Sequence, residues 1–163
     1  CVVDGADYYF TAEGVKMTGW VTLGEQKFYY EPANGGVMSR GWYSDAAGRF
    51  YFLDLTDGHM LTGDQVIDGS KYLFTPEGVR MTGMVAREDG SYYYDPATGA
   101  MLTGWFDADN KTYYADPQGH IVTGVYEIEK QPYYFDAAGA LVRSGEVELE
   151  GTLLLIRNRI CYI

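Results

Sequence analysis

Aromatic and apolar residues recur along this chain as short triplets set apart by polar, glycine-bearing stretches. The triplets are Phe28-Tyr29-Tyr30, Phe50-Tyr51-Phe52, Tyr72-Leu73-Phe74, Tyr92-Tyr93-Tyr94, Tyr113-Tyr114-Ala115, Tyr133-Tyr134-Phe135 and Leu154-Leu155-Ile156, and a partial copy, Tyr8-Tyr9-Phe10, precedes them. Nine residues before each full triplet stands a glycine: Gly19, Gly41, Gly63, Gly83, Gly104, Gly124 and Gly145. The steps between these marks are 22, 22, 20, 21, 20 and 21 residues. After the triplet come a second glycine and then a large apolar residue, drawn from the row Met17, Met38, Met60, Met81, Met101, Ile121 and Leu141. Self-similarity at a fixed period of this length is the signature of a repeat architecture.

Each repeat reads as a β-hairpin. One strand starts at the glycine mark and the triplet is the other. Between them lie residues that accept positive φ, such as Asp68-Gly69, Asp89-Gly90 and Asp109-Asn110. Pro32, Pro76, Pro96 and Pro117 fall at turn entries, where no ladder donor is lost. A lone two-stranded hairpin is marginal in water. Stacking gives each hairpin a neighbour against which to bury its aromatic face. The expected fold is all-β, a solenoid of about seven stacked hairpins over residues 1–145. Residues 146–163 are expected to form a divergent terminal repeat or capping strand, because Leu153-Leu154-Leu155-Ile156 replaces the aromatics there.

Composition narrows the function. The chain has 16 Tyr and 21 Gly, and 23 acidic side chains outnumber 12 basic ones for a net charge of −11. That balance excludes nucleic acid, whose phosphates need a Lys/Arg stripe. It also argues against docking on anionic lipid, and no apolar stretch is long enough for a helical membrane span. A start at Cys1 rather than Met reads as a processed or excised piece of something larger.

The segments Thr18-Gly19-Trp20, Met101-Leu102-Thr103-Gly104-Trp105 and Tyr133-Tyr134-Phe135-Asp136 resemble the cell-wall-binding repeats of Gram-positive surface proteins. That superfamily takes in choline-binding modules, the glucan-binding repeats of glucosyltransferases and the C-terminal repeats of clostridial toxins. The resemblance spans about residues 3 to 145 and implies non-covalent attachment to wall polymer or glycan. Choline-binding modules hold a quaternary ammonium in an aromatic cage shared between repeats. They typically place one Trp after the Thr-Gly mark and another just before the Tyr-Tyr pair. Here the first position carries Trp20, Trp42 and Trp105, while the second carries Lys27, Arg49, Lys71, Ser91, Thr112, Pro132 and Leu153, none aromatic. The pattern is therefore closer to glucan-binding and toxin-type repeats, in which flat rings stack on sugars.

By that resemblance each Trp should face the middle triplet residue of the next repeat. Trp20 is expected on Tyr51 and Trp105 on Tyr134, while Trp42 meets Leu73 and its groove lacks one wall. The plainer reading is that these Trp only cover seams between hairpins. His59 and His120 are expected as solvated turn residues, and the periodic Asp95, Asp116 and Asp136 as turn formers. Asp107 to Asn110 faintly suggests a cation loop but has no downstream ligand pattern. No catalytic constellation, cofactor motif or metal spacing stands out. Cys1 and Cys161 flank opposite ends of the repeat array and are not expected to pair within one chain.

The expected function is a non-catalytic carbohydrate or cell-wall binding module of a secreted, surface-associated bacterial protein. Its expected partner is wall polysaccharide or a host or self glycan. The alternative is a structural spacer or assembly element that self-associates in a fibre, adhesin or toxin.

Overall fold

The computed structural model describes residues 1–149, 151–157 and 160–162, with the side chains of 149, 152, 161 and 162 outside that description. The expectation about Cys161 therefore lies outside the described residues. The chain divides into two compact units, Cys1–Met81 and Thr82–Ile163. Both are built from antiparallel hairpins, and the helical content among the described residues is a single 3-10 turn at Pro32–Asn34.

The first unit opens with a short ladder, Val2–Val3 on Ala6–Asp7, and then carries three full hairpins. The first pairs Gly19–Leu23 with Gln26–Glu31, the second Gly41–Ser44 with Phe50–Leu53, and the third Gly63–Ile67 with Ser70–Phe74. The second unit carries four. The fourth hairpin pairs Gly83–Arg87 with Gly90–Tyr94, the fifth Gly104–Ala108 with Lys111–Ala115, and the sixth Gly124–Ile128 with Gln131–Phe135. The seventh pairs Gly145–Leu149 with Thr152–Arg157 and gains a third strand, Ile160–Tyr162.

Most turns have two residues, and the backbone there does what the sequence demands. Asp68 and Gly69 sit at φ 50° and 79°, and Asp109 and Asn110 at 49° and 61°. Both positions of a type I′ turn need positive φ for its twist to match the strands. Asp109 and Asn110 are thus a hairpin turn rather than a cation loop.

Every glycine mark pairs with the third residue of its triplet: Gly19 with Tyr30, Gly63 with Phe74, Gly83 with Tyr94, Gly124 with Phe135 and Gly145 with Ile156. In the second hairpin Gly41 pairs with Leu53. Its triplet is therefore Tyr51-Phe52-Leu53, one residue later than the spacing suggests. The cause is a longer turn, residues 45–49, folded on the Asp45 carboxylate. Asp45 accepts the Ala47 and Arg49 backbone N–H groups at 3.0 and 2.9 Å and the Arg49 Nε–H at 2.7 Å. The burial pattern agrees with this register. The largest fully buried side chains are Tyr94, Phe74, Phe135, Leu53 and Ile156, all third in their triplets.

The core sits in the seams between successive hairpins. Tyr29, Tyr51, Leu53 and Met60 form one seam of the first unit, and Phe52, Ile67 and Phe74 another. In the second unit the seams are Tyr113, Ala115, Ile121 and Ala140, then Val122, Ile128, Phe135 and Leu141. A residue after each hairpin laces the seam. Met60, Arg80 and Leu141 bridge the third triplet residues Leu53, Phe74 and Phe135. They also donate backbone N–H groups to the carbonyls of Lys27, Phe50 and Thr112, one hairpin back, at 2.7, 2.7 and 2.8 Å. The apolar row of the sequence is corrected here at two places. Lys16 and Arg80, not Met17 and Met81, occupy the bridging position of Met38, Met60 and Met101.

Candidate functional site: the tryptophan seams

The residue after each glycine mark points to solvent. Strand alternation turns it to the face opposite the buried third triplet residue. Trp20, Trp42 and Trp105 hold that position and are 39, 42 and 43% exposed, so each indole is only partly covered by its neighbours. Across its own hairpin each Trp lies opposite the middle triplet residue: Tyr29, Phe52 and Tyr114 respectively. The ring centroids are 5.1, 5.0 and 5.1 Å apart.

The next hairpin supplies the other wall. Trp20 lies 5.0 Å from Tyr51, as expected, and 5.7 Å edge-on from Tyr43. Trp42 does not face Leu73. It lies 5.1 Å from Tyr72 and 6.0 Å from Phe74, so its groove has the wall that the sequence reading denied it. Trp105 faces Tyr133 at 5.1 Å and Phe135 at 5.8 Å, not Tyr134. The reason is common to both corrections. First and third triplet residues project back toward the preceding hairpin, while the middle residue pairs across its own, Leu73 with Asp64 and Tyr134 with Val125. Tyr51 obeys the same rule, because it is the first residue of its true triplet.

The later register of the second hairpin has a further effect. Phe50, not Arg49, stands just before the triplet, the position at which no aromatic was expected. It pairs with Ser44 as Lys27 pairs with Thr22 and Thr112 with Asp107. Length alone hid it: the spacing from the glycine mark could not show which turn carries the extra residue.

The three seams differ in their polar groups. Around Trp20, the Tyr43 hydroxyl bonds Tyr29 and, with burial, raises the Tyr29 phenol far above its ordinary value. The Tyr51 hydroxyl donates to Asp45 at 3.3 Å. Around Trp42, the Arg80 guanidinium lies over the rings of Phe50 and Trp42, its Cζ at 4.2 and 5.7 Å from their centroids. Around Trp105 there is an open recess of about 390 Å³, lined by Trp105, Phe106, Asp107, Thr112, Tyr133 and Arg143. Its polar groups form a chain: Arg143 donates to the Thr112 hydroxyl at 3.1 Å, and Thr112 donates to Asp107 at 2.6 Å.

Two histidine networks make no ring contact with the three Trp among the described residues. His120 is not simply a solvated turn residue. Its Nε2 meets the Tyr92 hydroxyl at 2.8 Å and its Nδ1 the Asp116 carboxylate at 3.2 Å. Tyr92 also donates to Asp89 at 2.8 Å, and burial together with that bond pushes its phenol up to about 12. Asp54, Asp57 and His59 are the one group of three among the described residues whose ligand atoms all come within 4.8 Å of one another. Hydrogen bonds inside the turn account for them. Asp54 accepts the N–H groups of Thr56 and Asp57, and Asp57 accepts the His59 N–H at 3.0 Å with its ring Nδ1 at 2.6 Å.

The comparisons with known proteins agree with this geometry. A family model described as "Choline-binding repeat" matches residues 1–42 and 61–106, more than half of the chain, and "Putative cell wall binding repeat" matches residues 103–121. Among curated proteins, Glucosyltransferase-S of Streptococcus mutans serotype c is 33% identical over 88 residues, 53% of this chain and 6% of the enzyme. Glucosyltransferase-I of Streptococcus downei is 33% identical over 78 residues, 47% of this chain and 5% of the enzyme. Among solved structures, CbpJ of Streptococcus pneumoniae TIGR4 superposes with a TM-score of 0.88 at 29% identity, covering 95% of this chain and 56% of CbpJ. Choline binding protein F of Streptococcus pneumoniae does so with a TM-score of 0.85 at 28% identity, covering 95% and 55%. The chain thus spans a small fraction of those glucosyltransferases and a little over half of the two pneumococcal proteins. The matched repeats cover more than half of the chain and the hairpins superpose on those of the pneumococcal proteins: this chain belongs to the family of choline-binding, cell-wall-binding repeats.

Proposed function

We propose that the module binds glycan without catalysis, anchoring a secreted bacterial surface protein to wall polysaccharide or a related neutral sugar polymer. The observation that carries this reading is the Trp105 recess. A half-exposed indole and Tyr133 give apolar walls, and Asp107, Thr112 and Arg143 give donors and acceptors at the rim. Sugars present that same combination, a flat C–H face edged with hydroxyls. The Trp20 seam offers a second platform of similar shape, with Tyr51 as its far wall. Choline binding protein F has been crystallised in the presence of a peptidoglycan analogue, a tetrasaccharide-pentapeptide, which supports a wall glycan as the ligand class here. Lys27 stands two residues from Trp20's cross-strand partner on the same strand face, and Arg143 lines the Trp105 recess; a positive charge near each Trp favours neutral sugar over choline.

Titration with dextran oligosaccharides, with a peptidoglycan fragment and with choline, followed by Trp fluorescence, tests this. Trp105→Ala should weaken glycan binding by at least about tenfold, the scale of losing one aromatic anchor. Each site should be weak, with useful attachment coming from several sites on one polymer. Sugar binding unchanged in Trp20→Ala with Trp105→Ala, or tight choline binding alone, would overturn the proposal. One observation favours the alternative of a purely structural repeat, and for a single seam: the walls around Trp42 are already in contact with Arg80.

A further inference from the structure

We infer that the seam at Trp42 is an aromatic cation cage that the chain fills with its own guanidinium, so that Arg80 closes this seam to organic cations. The inference rests on reading the Trp seams as ligand sites. Three rings border the space: Trp42, Phe50 two residues from Trp42's cross-strand partner on the same face, and Tyr72 from the next hairpin, 5.1 Å from Trp42. The faces of Trp42 and Phe50, with Tyr72 packed edge-on against Trp42, favour a compact cation over an anion. Arg80 supplies that cation, 4.2 Å from Phe50 and 5.7 Å from Trp42, both within the roughly 6 Å range of a cation–π contact.

The placement is built by the backbone. Arg80 bridges Phe74 and donates its N–H to the Phe50 carbonyl at 2.7 Å, which fixes where the side chain starts. Met60 and Leu141 make the same two backbone contacts at the Trp20 and Trp105 seams, and both are apolar. The one Trp seam with an aromatic residue before its triplet is also the one whose lacing residue is an arginine. Phe50 reaches that position only because the turn of residues 45–49 carries an extra residue. An incoming quaternary ammonium, carrying the same charge, must displace the guanidinium to enter.

Arg80→Met restores the residue type found at Met38, Met60 and Met101 and should open the cage. Choline titrated into this variant, read by Trp fluorescence, should bind at least about tenfold more tightly than to the unaltered chain. The gain should vanish in Arg80→Met combined with Trp42→Ala. A folded Arg80→Met variant with no gain would overturn the inference. Should Arg80→Met fail to fold, NMR of the unaltered chain decides. Arg80 side-chain protons should be ring-current shifted and should move toward ordinary values in Phe50→Leu; unshifted protons would refute the cage. Dextran binding at Trp105, followed in parallel, should be equal in both proteins. Its absence from both would count against the glycan reading and not against the cage.

Discussion

Single residues in this chain are chosen mostly for backbone geometry, and the periodic aspartates show it. Asp136 Oδ1 accepts the N–H groups of Ala138 and Ala140, each at 2.9 Å, and Asp116 does the same for Gln118 and His120. Asp136→Ala should cost about 2 kcal/mol, since two backbone donors lose a charged acceptor. The measurement is the urea midpoint, with an unchanged slope showing that only stability moved. The opposite sign is expected at Lys130. With Glu129 it forms the sixth hairpin's turn at φ 52° and 65°, a region that costs a residue with a Cβ about 1 kcal/mol or more. Lys130→Gly should raise the same midpoint. The aspartates were legible in the sequence because they recur with the repeat. The setting of His120 was not, because its partner Tyr92 lies in the preceding hairpin and no local pattern links the two.

At the scale of the hairpin, spacing predicted the elements, and side-chain alternation decided the site. The glycine marks and triplets gave the strands within a residue or two, since each repeat must turn twice and bury one face. The error about Leu73 and Tyr134 came from choosing the wrong parity within a triplet, and a one-residue shift in a strand reverses every side chain. The same sensitivity gives a test of seam packing. Gly78, at φ 82°, is placed so that an added Cβ would overlap the Met60 side chain, whereas a Cβ on Gly63, at φ 68°, would meet nothing. Gly63→Ala should cost about 1–2 kcal/mol from backbone strain alone. Gly78→Ala should cost about 1–3 kcal/mol more, from overpacking the seam. Equal losses in the two variants would show that Met60 moves aside freely and that the seam is not closely packed there.

For the whole molecule, two electrostatic effects oppose each other as pH falls. The chain carries a net charge of −11 and has an isoelectric point near 4.4, so acidification from neutrality first relieves self-repulsion. Against this, several carboxyls sit below the usual carboxylate range in the folded state. The Arg49 backbone N–H and side chain hold Asp45 down, the His59 backbone and ring hold Asp57 down, and the Tyr92 hydroxyl holds Asp89 down. A carboxyl with a depressed folded pKa contributes stability that is present above its unfolded value, near 3.9, and is lost as pH falls through the folded one. The thermal midpoint should therefore stay level or rise slightly from pH 7 to about 4.5, then fall steeply below about pH 4. Salt separates the two causes. Repulsion among exposed charges is screened beyond about 8 Å at physiological ionic strength, so added salt should flatten the rise. The carboxylates in direct hydrogen bonds are within contact distance of their partners, so the acid fall should persist in high salt. In Asp45→Asn, which keeps one acceptor oxygen but cannot titrate, the fall should become shallower. A midpoint that keeps rising down to pH 3 would show that self-repulsion, and not the turn carboxylates, governs the stability of this module.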